Sequence, residues 1–266
     1  MAIGGFDGMH LGHQELFKKL DKNGAIVVIQ TSYANLSPDT SRSELTDLPI
    51  FYYPLDDIKH LNGNEFISLL KEEFVLLNKI VVGFDFHFGY KAAYSIIDLK
   101  NIFDGTVEVI KEYSVEAIGV HSRIIRELLR NGDIKQANKF LGYNYKIDGI
   151  HIKGQSLGSK QFVPTINLNI QKYLIPKDGI YITKTVIDNK IYSSVSFIGH
   201  RVSTDGNFAV ETHILENFED NIKSKKIQIV FCKKIRDNKK FENYKHLKNQ
   251  ILDDIEKAKK YFNFCE

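Results

Sequence analysis

The hydrophobic pattern changes character once along the chain. In the first part, short β-branched runs alternate with stretches of helical spacing. Residues 25–31 (AIVVIQT), 79–86 (KIVVGFDF) and 106–113 (TVEVIKEY) read as strands, the first two almost continuously apolar, as strands buried on both faces are. Between them, residues 12–20, 65–77 and 94–103 repeat apolar side chains at helical intervals, most clearly at Phe66, Leu69, Leu70, Phe74 and Leu77. Strands separated by helices of this length predict a parallel sheet with right-handed crossovers and a ligand site at the carboxyl ends of the strands. The first strand reads as no more than Met1-Ala2-Ile3, which leaves two expectations: a shortened sheet edge or a misassigned start. A helical pair, residues 122–130 and 133–141, closes this part.

Beyond Gly142 the period becomes two. Residues 147–152, 166–170, 179–187, 190–198, 208–215 and 226–236 read as about six strands, with Asp188-Asn189 as a hairpin turn. Six antiparallel strands in so short a span predict a small closed barrel. A final amphipathic helix over residues 241–262 places Leu247, Ile251, Ile255, Ala258 and Phe262 on one face. The expected organisation is therefore α/β plus β-barrel: a Rossmann-like domain over 1–141, a linker over 142–147 and a barrel domain over 148–266. The polar stretch 32–43 reads as a mobile loop, and no internal repeat or low-complexity segment is present.

Composition fits this picture. The 266 residues are 43% hydrophobic and 26% charged, enough apolar mass for two cores. Residues 1–147 carry 16 basic against 19 acidic side chains, whereas residues 148–266 carry 20 against 14, so the pattern boundary is also a charge boundary. Two cysteines, Cys232 and Cys265, with no His/Cys cluster near either, point to a reducing compartment and away from a zinc site. No run approaches the length of a membrane span, which predicts a cytoplasmic protein with no membrane partner. The basic residues are 30 Lys and only 6 Arg, a poor base for nucleic-acid readout, so no nucleic-acid partner is expected. Self-association is not predicted.

The chemistry concentrates at GGFDGMHLGH, residues 4–13, where the first strand turns into the first helix. Glycines there let backbone approach a phosphate. His10 and His13, three apart, share one face of the first turn and can donate hydrogen bonds to charge developing at a phosphorus centre. The competing readings are a zinc pair lacking its further ligands and a glycine-rich turn with incidental histidines. Asp85, at the end of an apolar strand, faces the expected ligand side. Core packing accounts for at least two of Phe84, Phe86 and Phe88.

GGFDGMHLGH resembles the FDGxHxGH form of the HxGH signature of the nucleotidylyltransferase superfamily, as used by prokaryotic FAD synthetases. In family order, VGFDFHFG (82–89) resembles GxDFxFG, and Ile125-Arg126-Glu127-Leu128-Leu129 resembles the tail of SSTxxRELL. In the second half, GQSLGSKQFVPTIN (154–167) resembles the GxxxGxxxGxPTAN signature of riboflavin kinases, and Val210 to Leu215 (VETHIL) resembles VExHILD. Departures are confined to single features: His121-Ser122-Arg123 replaces Ser-Ser-Thr, Ile124 replaces an arginine, Phe162 replaces the third glycine, and Ile166 replaces the alanine of PTAN. The family's Phe-Pro-His-Pro segment is missing at residues 30–35.

The resemblance implies FAD biosynthesis in two steps on one chain: a kinase half that phosphorylates riboflavin to FMN with ATP, and an adenylyltransferase half that converts FMN and ATP to FAD and pyrophosphate. It implies His10 and His13 as catalytic groups of the second step. Phe6, Gly8, Gly12, Ser122 and Arg126 would contact nucleotide, with Ser122 also as helix N-cap, and Asp85 would contact flavin. In the kinase half it implies Gly154 and Gly158 around the nucleotide and Thr165 and Asn167 as ligands of Mg²⁺. Glu211, pointing inward from its strand, would be the general base; its local pattern alone favours a solvent-facing residue of an alternating strand. The rival functions are a riboflavin kinase with a degenerate adenylyltransferase half, and a non-catalytic nucleic-acid or flavin-binding module.

Overall fold

The computed structural model describes residues 1–152, 163–203, 205–218 and 222–263. The chain forms two compact units, Met1–Ser122 and Arg123–Glu266. By contacts, the helical pair thus belongs almost wholly with the second unit.

The first unit is a parallel sheet of five strands: β1 (Ala2–Gly4), β2 (Ile26–Gln30), β3 (Ile50–Pro54), β4 (Lys79–Gly83) and β5 (Thr106–Ile110), in the order β3-β2-β1-β4-β5. Alternate residues of each strand serve separate cores. Ala2, Ile26, Val28 and Val81 pack on one face, while Ile3, Val27, Ile80 and Val82 pack on the other, which is why these strands read as unbroken apolar runs. The short β1 is the central strand, hydrogen-bonded to β2 and β4, and not a shortened edge. Its brevity is tolerated because both neighbours carry its backbone groups. β3 escaped the sequence reading because IFYYP is a run of only five residues that ends in a proline, and a single 3₁₀ segment, Asp39–Leu45, stands between it and β2 in place of an α-helix.

Helices α1 (Leu11–Phe17), α2 (Leu55–Ile58), α3 (Gly63–Glu73) and α4 (Ile96–Ile102) cover the sheet. α3 begins at a capping box: the Asn62 side chain accepts from the Glu65 amide, and the Glu65 carboxylate accepts from the Asn62 amide. After β5, a small hairpin of β6 (Ser114–Val115) and β7 (Ile118–Gly119) precedes α5 (Ser122–Asn131).

In the second unit, α5 is followed by α6 (Ile134–Leu141), capped by Asp133 and ended by Gly142 in the left-handed region. Strands β8 (Lys146–Ile152), β9 (Ile166–Ile170), β10 (Gly179–Ile187), β11 (Lys190–His200), β12 (Phe208–Ile214) and β13 (Lys226–Asp237) close into a barrel in the order β10-β11-β12-β9-β8-β13. The β10–β11 turn has Asp188 and Asn189 both at positive φ, the two-residue geometry that fits strand twist. Inside the barrel stand Tyr181, Ile227, Ile229 and Phe231, together with a row of hydroxyl side chains. The last helix, Tyr244–Asn263, lies on the outer face through Ala258 against Ile180, Ile182 and Val195. A near-buried ion pair fixes it, with Arg236 Nη2 2.7 Å from Asp254 Oδ2.

Candidate functional site

In the first unit the strand order reverses between β1 and β4, so the loops leaving these two strands diverge and open a crevice at their carboxyl ends. The loop after β1 is residues 5–10. It turns sharply, with Phe6, Gly8 and Met9 all at positive φ. Gly8 at φ 81° is where glycine makes the turn cheap. Gly12 has another reason to lack a side chain: an added Cβ would stand 3.2 Å from the His10 ring and from the Val120 carbonyl.

His10 caps α1, its Nδ1 accepting from the His13 amide at 3.4 Å, which leaves the neutral ring's proton on Nε2. The two imidazoles stack with centroids 3.6 Å apart. Phe6 is buried, and its ring meets the His13 ring edge-on at 5.2 Å and packs on Phe17. Burial first, then the nearby His10, Arg42 and His121, hold the His13 pKa well below its ordinary value, so the ring is neutral at neutral pH. Its Nδ1 is buried with no hydrogen-bond partner among the described residues. Such an atom is costly unless a bound group completes it.

This depression has a measurable consequence. A histidine that is neutral when folded and charges freely when unfolded contributes stability above its ordinary value of 6.5, and that stability is lost as pH falls below it. Thermal melts across this range are expected to show a falling midpoint on acidification, and His13→Asn is expected to flatten that dependence. An unchanged slope in the variant would assign the effect to another group.

Residues 32–43, expected as a mobile loop, are anchored to this turn. The Asp7 carboxylate accepts from the amides of Asn35, Leu36 and Ser37, and Ser37 Oγ accepts from the Gly8 amide at 2.7 Å. Arg42, fully buried, donates to the carbonyls of Gly5, Phe6 and Asp39. Nothing in the sequence marks Arg42, since a lone arginine in a polar stretch reads as solvated. Ser122 is the first residue of its helix and not a cap; its hydroxyl donates to the Asp7 carbonyl at 2.8 Å and so braces the same turn. Asp85 is exposed two residues beyond β4. Phe88 is buried and Phe86 packs on the core, while Phe84 is 46% exposed and meets the His121 ring edge-on. Glu112 holds His121 at 2.6 Å, a pairing brought about by the β6–β7 hairpin. Arg126 lies on α5 in the other unit.

In the second unit, Glu211 does not point into the barrel. On β12 the inward side chains are Val210, Thr212 and Ile214, so alternation turns Glu211 to the outer face. There it lies directly across from Asn167 of β9 and Phe197 of β11, one row over three strands. Arg201 Nη1 is 3.2 Å from Glu211 Oε1, and the same guanidinium binds both oxygens of Asp205. Burial raises the Glu211 pKa, and Arg201 opposes that rise. His213, also on this face, is held below its ordinary value by burial; because a carbonyl only accepts, its Nδ1 donates to the Pro164 carbonyl at 2.8 Å. That bond pins the chain beside Thr165.

Neither the Thr165 nor the Asn167 side chain makes a hydrogen bond to another described residue, and both present the hard oxygen donors that suit Mg²⁺. Among the described residues no group of three or more His, Cys, Asp or Glu is arranged to hold a metal by itself. Gly154, Gly158 and Phe162 lie outside the described residues, as does Cys265. Sequence reasoning missed Arg201 and Asp205, which lie on the connection after β11 and meet Glu211 only through the fold.

Comparisons with known proteins agree with both halves. A riboflavin kinase family model matches residues 141–262 and a FAD synthetase model matches residues 1–36. A bifunctional riboflavin kinase/FMN adenylyltransferase of Buchnera aphidicola subsp. Schizaphis graminum is 33% identical over 293 residues, covering 99% of this chain and 94% of that protein. The Bacillus subtilis protein of the same name is 29% identical, covering 99% and 92%. A solved structure named as a macrolide-efflux protein from Streptococcus pneumoniae superposes with a TM-score of 0.81 at 26% identity, covering 97% of this chain and 93% of that one. No described helix of the present chain is long and apolar enough to cross a membrane. With a matching model at each end and relatives aligned over nearly their whole length, the chain belongs to the family of bifunctional riboflavin kinase/FMN adenylyltransferases.

Proposed function

We infer that the chain is a bifunctional transferase in FAD biosynthesis, with riboflavin, FMN and ATP as its small-molecule substrates, and that it works in the cytoplasm. The barrel unit makes FMN from riboflavin and ATP. The sheet unit makes FAD and pyrophosphate from FMN and a second ATP. The observation that carries the residue-level reading is the row on the outer barrel face, where Glu211 lies directly opposite Asn167 with Thr165 two residues away.

In the kinase step Glu211 takes the proton of the ribityl hydroxyl as its oxygen attacks the γ-phosphorus, and ADP departs with the bridging oxygen. Partial burial brings its basicity closer to the working pH, which favours that transfer. Thr165 and Asn167 would hold Mg²⁺, which would supply charge neutralisation on the ATP phosphates. Arg201 keeps the Glu211 carboxylate aimed and ionised between turnovers.

In the adenylyl step an oxygen of the FMN phosphate attacks the α-phosphorus and pyrophosphate departs. His10 offers Nε2–H to the charge that builds there, and the unpartnered Nδ1 of His13 is completed by bound substrate or by a proton that arrives with it. The Gly8 turn and Gly12 bring backbone close to the phosphates. Asp85, at the mouth of the crevice, is the flavin contact.

Incubating the purified protein with riboflavin, ATP and Mg²⁺ and resolving the flavins by chromatography tests this reading. FAD is the expected product. FMN alone would leave a kinase with an inactive second half, and unchanged riboflavin would overturn the assignment.

A further inference from the structure

The barrel interior holds five fully buried hydroxyls where a small barrel ordinarily packs branched apolar side chains: Thr183 and Thr185 on β10, Ser194 and Ser196 on β11, and Thr212 on β12. They form a closed circuit. Thr183 meets Ser194 and Ser196, Thr185 meets Ser194 and Thr212, and Ser196 meets Thr212, all with oxygens 2.8–3.0 Å apart. Ser194 Oγ also lies 2.9 Å from the Thr183 carbonyl.

Proton counting orders the circuit. A carbonyl only accepts, so Ser194 gives its proton to Thr183 O, and Ser196 donates to Thr212. Thr212 must then donate to Thr185 and Thr185 to Ser194, leaving only the Thr183 proton a choice, between Ser196 and Ser194. Thr212 therefore accepts one bond and donates another. Its χ1 is fixed from two strands at once.

The Thr185–Thr212 bond joins strands that are not neighbours, since β11 lies between them. It forms only where the sheet is strongly curved, and it holds that curvature. On the convex outer side the same curvature sets how Asn167, Glu211 and Phe197 fan apart. On its β9 side β12 is held by the three ladder pairs of Val210, Glu211 and Thr212 and by the His213–Pro164 bond, all from the strand edge and the outer face, so the hydroxyls are what fixes the angle from within.

We propose that the hydroxyl circuit sets the barrel curvature beneath Glu211 and makes Thr212, the adjacent inward residue, a positioning residue for phosphoryl transfer. The inference rests on Glu211 being the base. Thr212 touches no substrate. It acts by holding the strand from which the carboxylate projects, and small misplacements of a reacting group lower the turnover rate steeply.

Thr212→Val keeps the shape and removes the hydroxyl. FMN formation is expected to lose about tenfold in kcat, with KM for ATP changed less than about twofold, and FMN adenylylation is expected to keep its rate. Thr212→Ser, which restores the hydroxyl without the methyl, is expected to recover most of the lost kcat. If Thr212→Val does not fold, Ser196→Ala removes the donor to Thr212 from the neighbouring strand and is expected to lower kcat in the same direction.

A wild-type kcat in Thr212→Val (or in Ser196→Ala, where that variant replaces it), or equal losses in the Val and Ser variants, would overturn the proposal. Glu211→Gln measured alongside separates the two levels: if it is inactive while Thr212→Val is normal, the positioning role alone fails. If Glu211→Gln keeps its rate, the base assignment fails and the proposal falls with it.

Discussion

Glu211→Gln is expected to lower FMN formation by about 10²- to 10⁴-fold, the range for removing a positioned general base, while FMN-to-FAD conversion stays near normal. The substitution keeps the volume and the contact with Arg201 but removes the proton acceptor. The loss is expected in kcat, because the substitution leaves Thr165 and Asn167, the proposed Mg²⁺ ligands, unchanged. Arg201 retains Asp205 on its other nitrogens, so the variant leaves no isolated buried cation and is expected to melt close to the parent. Riboflavin consumption and FMN-to-FAD conversion are assayed separately. If both fail together, the two reactions do not have independent sites, and if neither fails, the carboxylate is not the base.

The converse result is expected at the other end of the chain. His10→Ala and His13→Ala are each expected to lower FAD formation from FMN and ATP by about 10²- to 10³-fold, the loss seen when one donor to a developing oxyanion is removed, and to leave riboflavin phosphorylation unchanged. The two rings are stacked, and the His10 ring accepts from the His13 backbone amide at the start of α1, so they are expected to act as a unit. The double variant is therefore expected to be only slightly worse than either single one. His13→Ala also leaves a space beside Phe6, so a melt accompanies the rates. A single variant with wild-type FAD yield would remove that histidine from the mechanism. Strictly additive losses would mean the rings work separately.

Much of the architecture is legible along the chain because it depends on periodicity. The strands of the barrel were expected within a residue or two of their bounds, since one face of each is buried and register is fixed by alternation. The β-branched runs of β2 and β4 likewise announced a sheet covered on both sides. β3 and the β6–β7 hairpin were missed: Ile50–Pro54 is a run of only five residues that ends in a proline, and Ser114–Val115 with Ile118–Gly119 is too short to show a period. The same limit applies to sites. Residues clustered in sequence, such as the 4–13 turn, can be picked out, but Arg42, Arg201 and Asp205 are single charged residues whose partners are supplied by other segments.

By itself the sequence determined the order of elements, the change from helical to strand period near Gly142, the glycine and histidine turn, and the segments that align with two families of known chemistry. These depend on local spacing and local side-chain type. Only the tertiary structure decided that β1 is central, that residues 32–43 are fastened to Asp7, that Glu211 faces outward beside Asn167, and that five hydroxyls close a circuit through Thr212. Each of these is a pairing between segments far apart in the chain, where the cost of burying a polar group is offset only by a partner that folding brings to it.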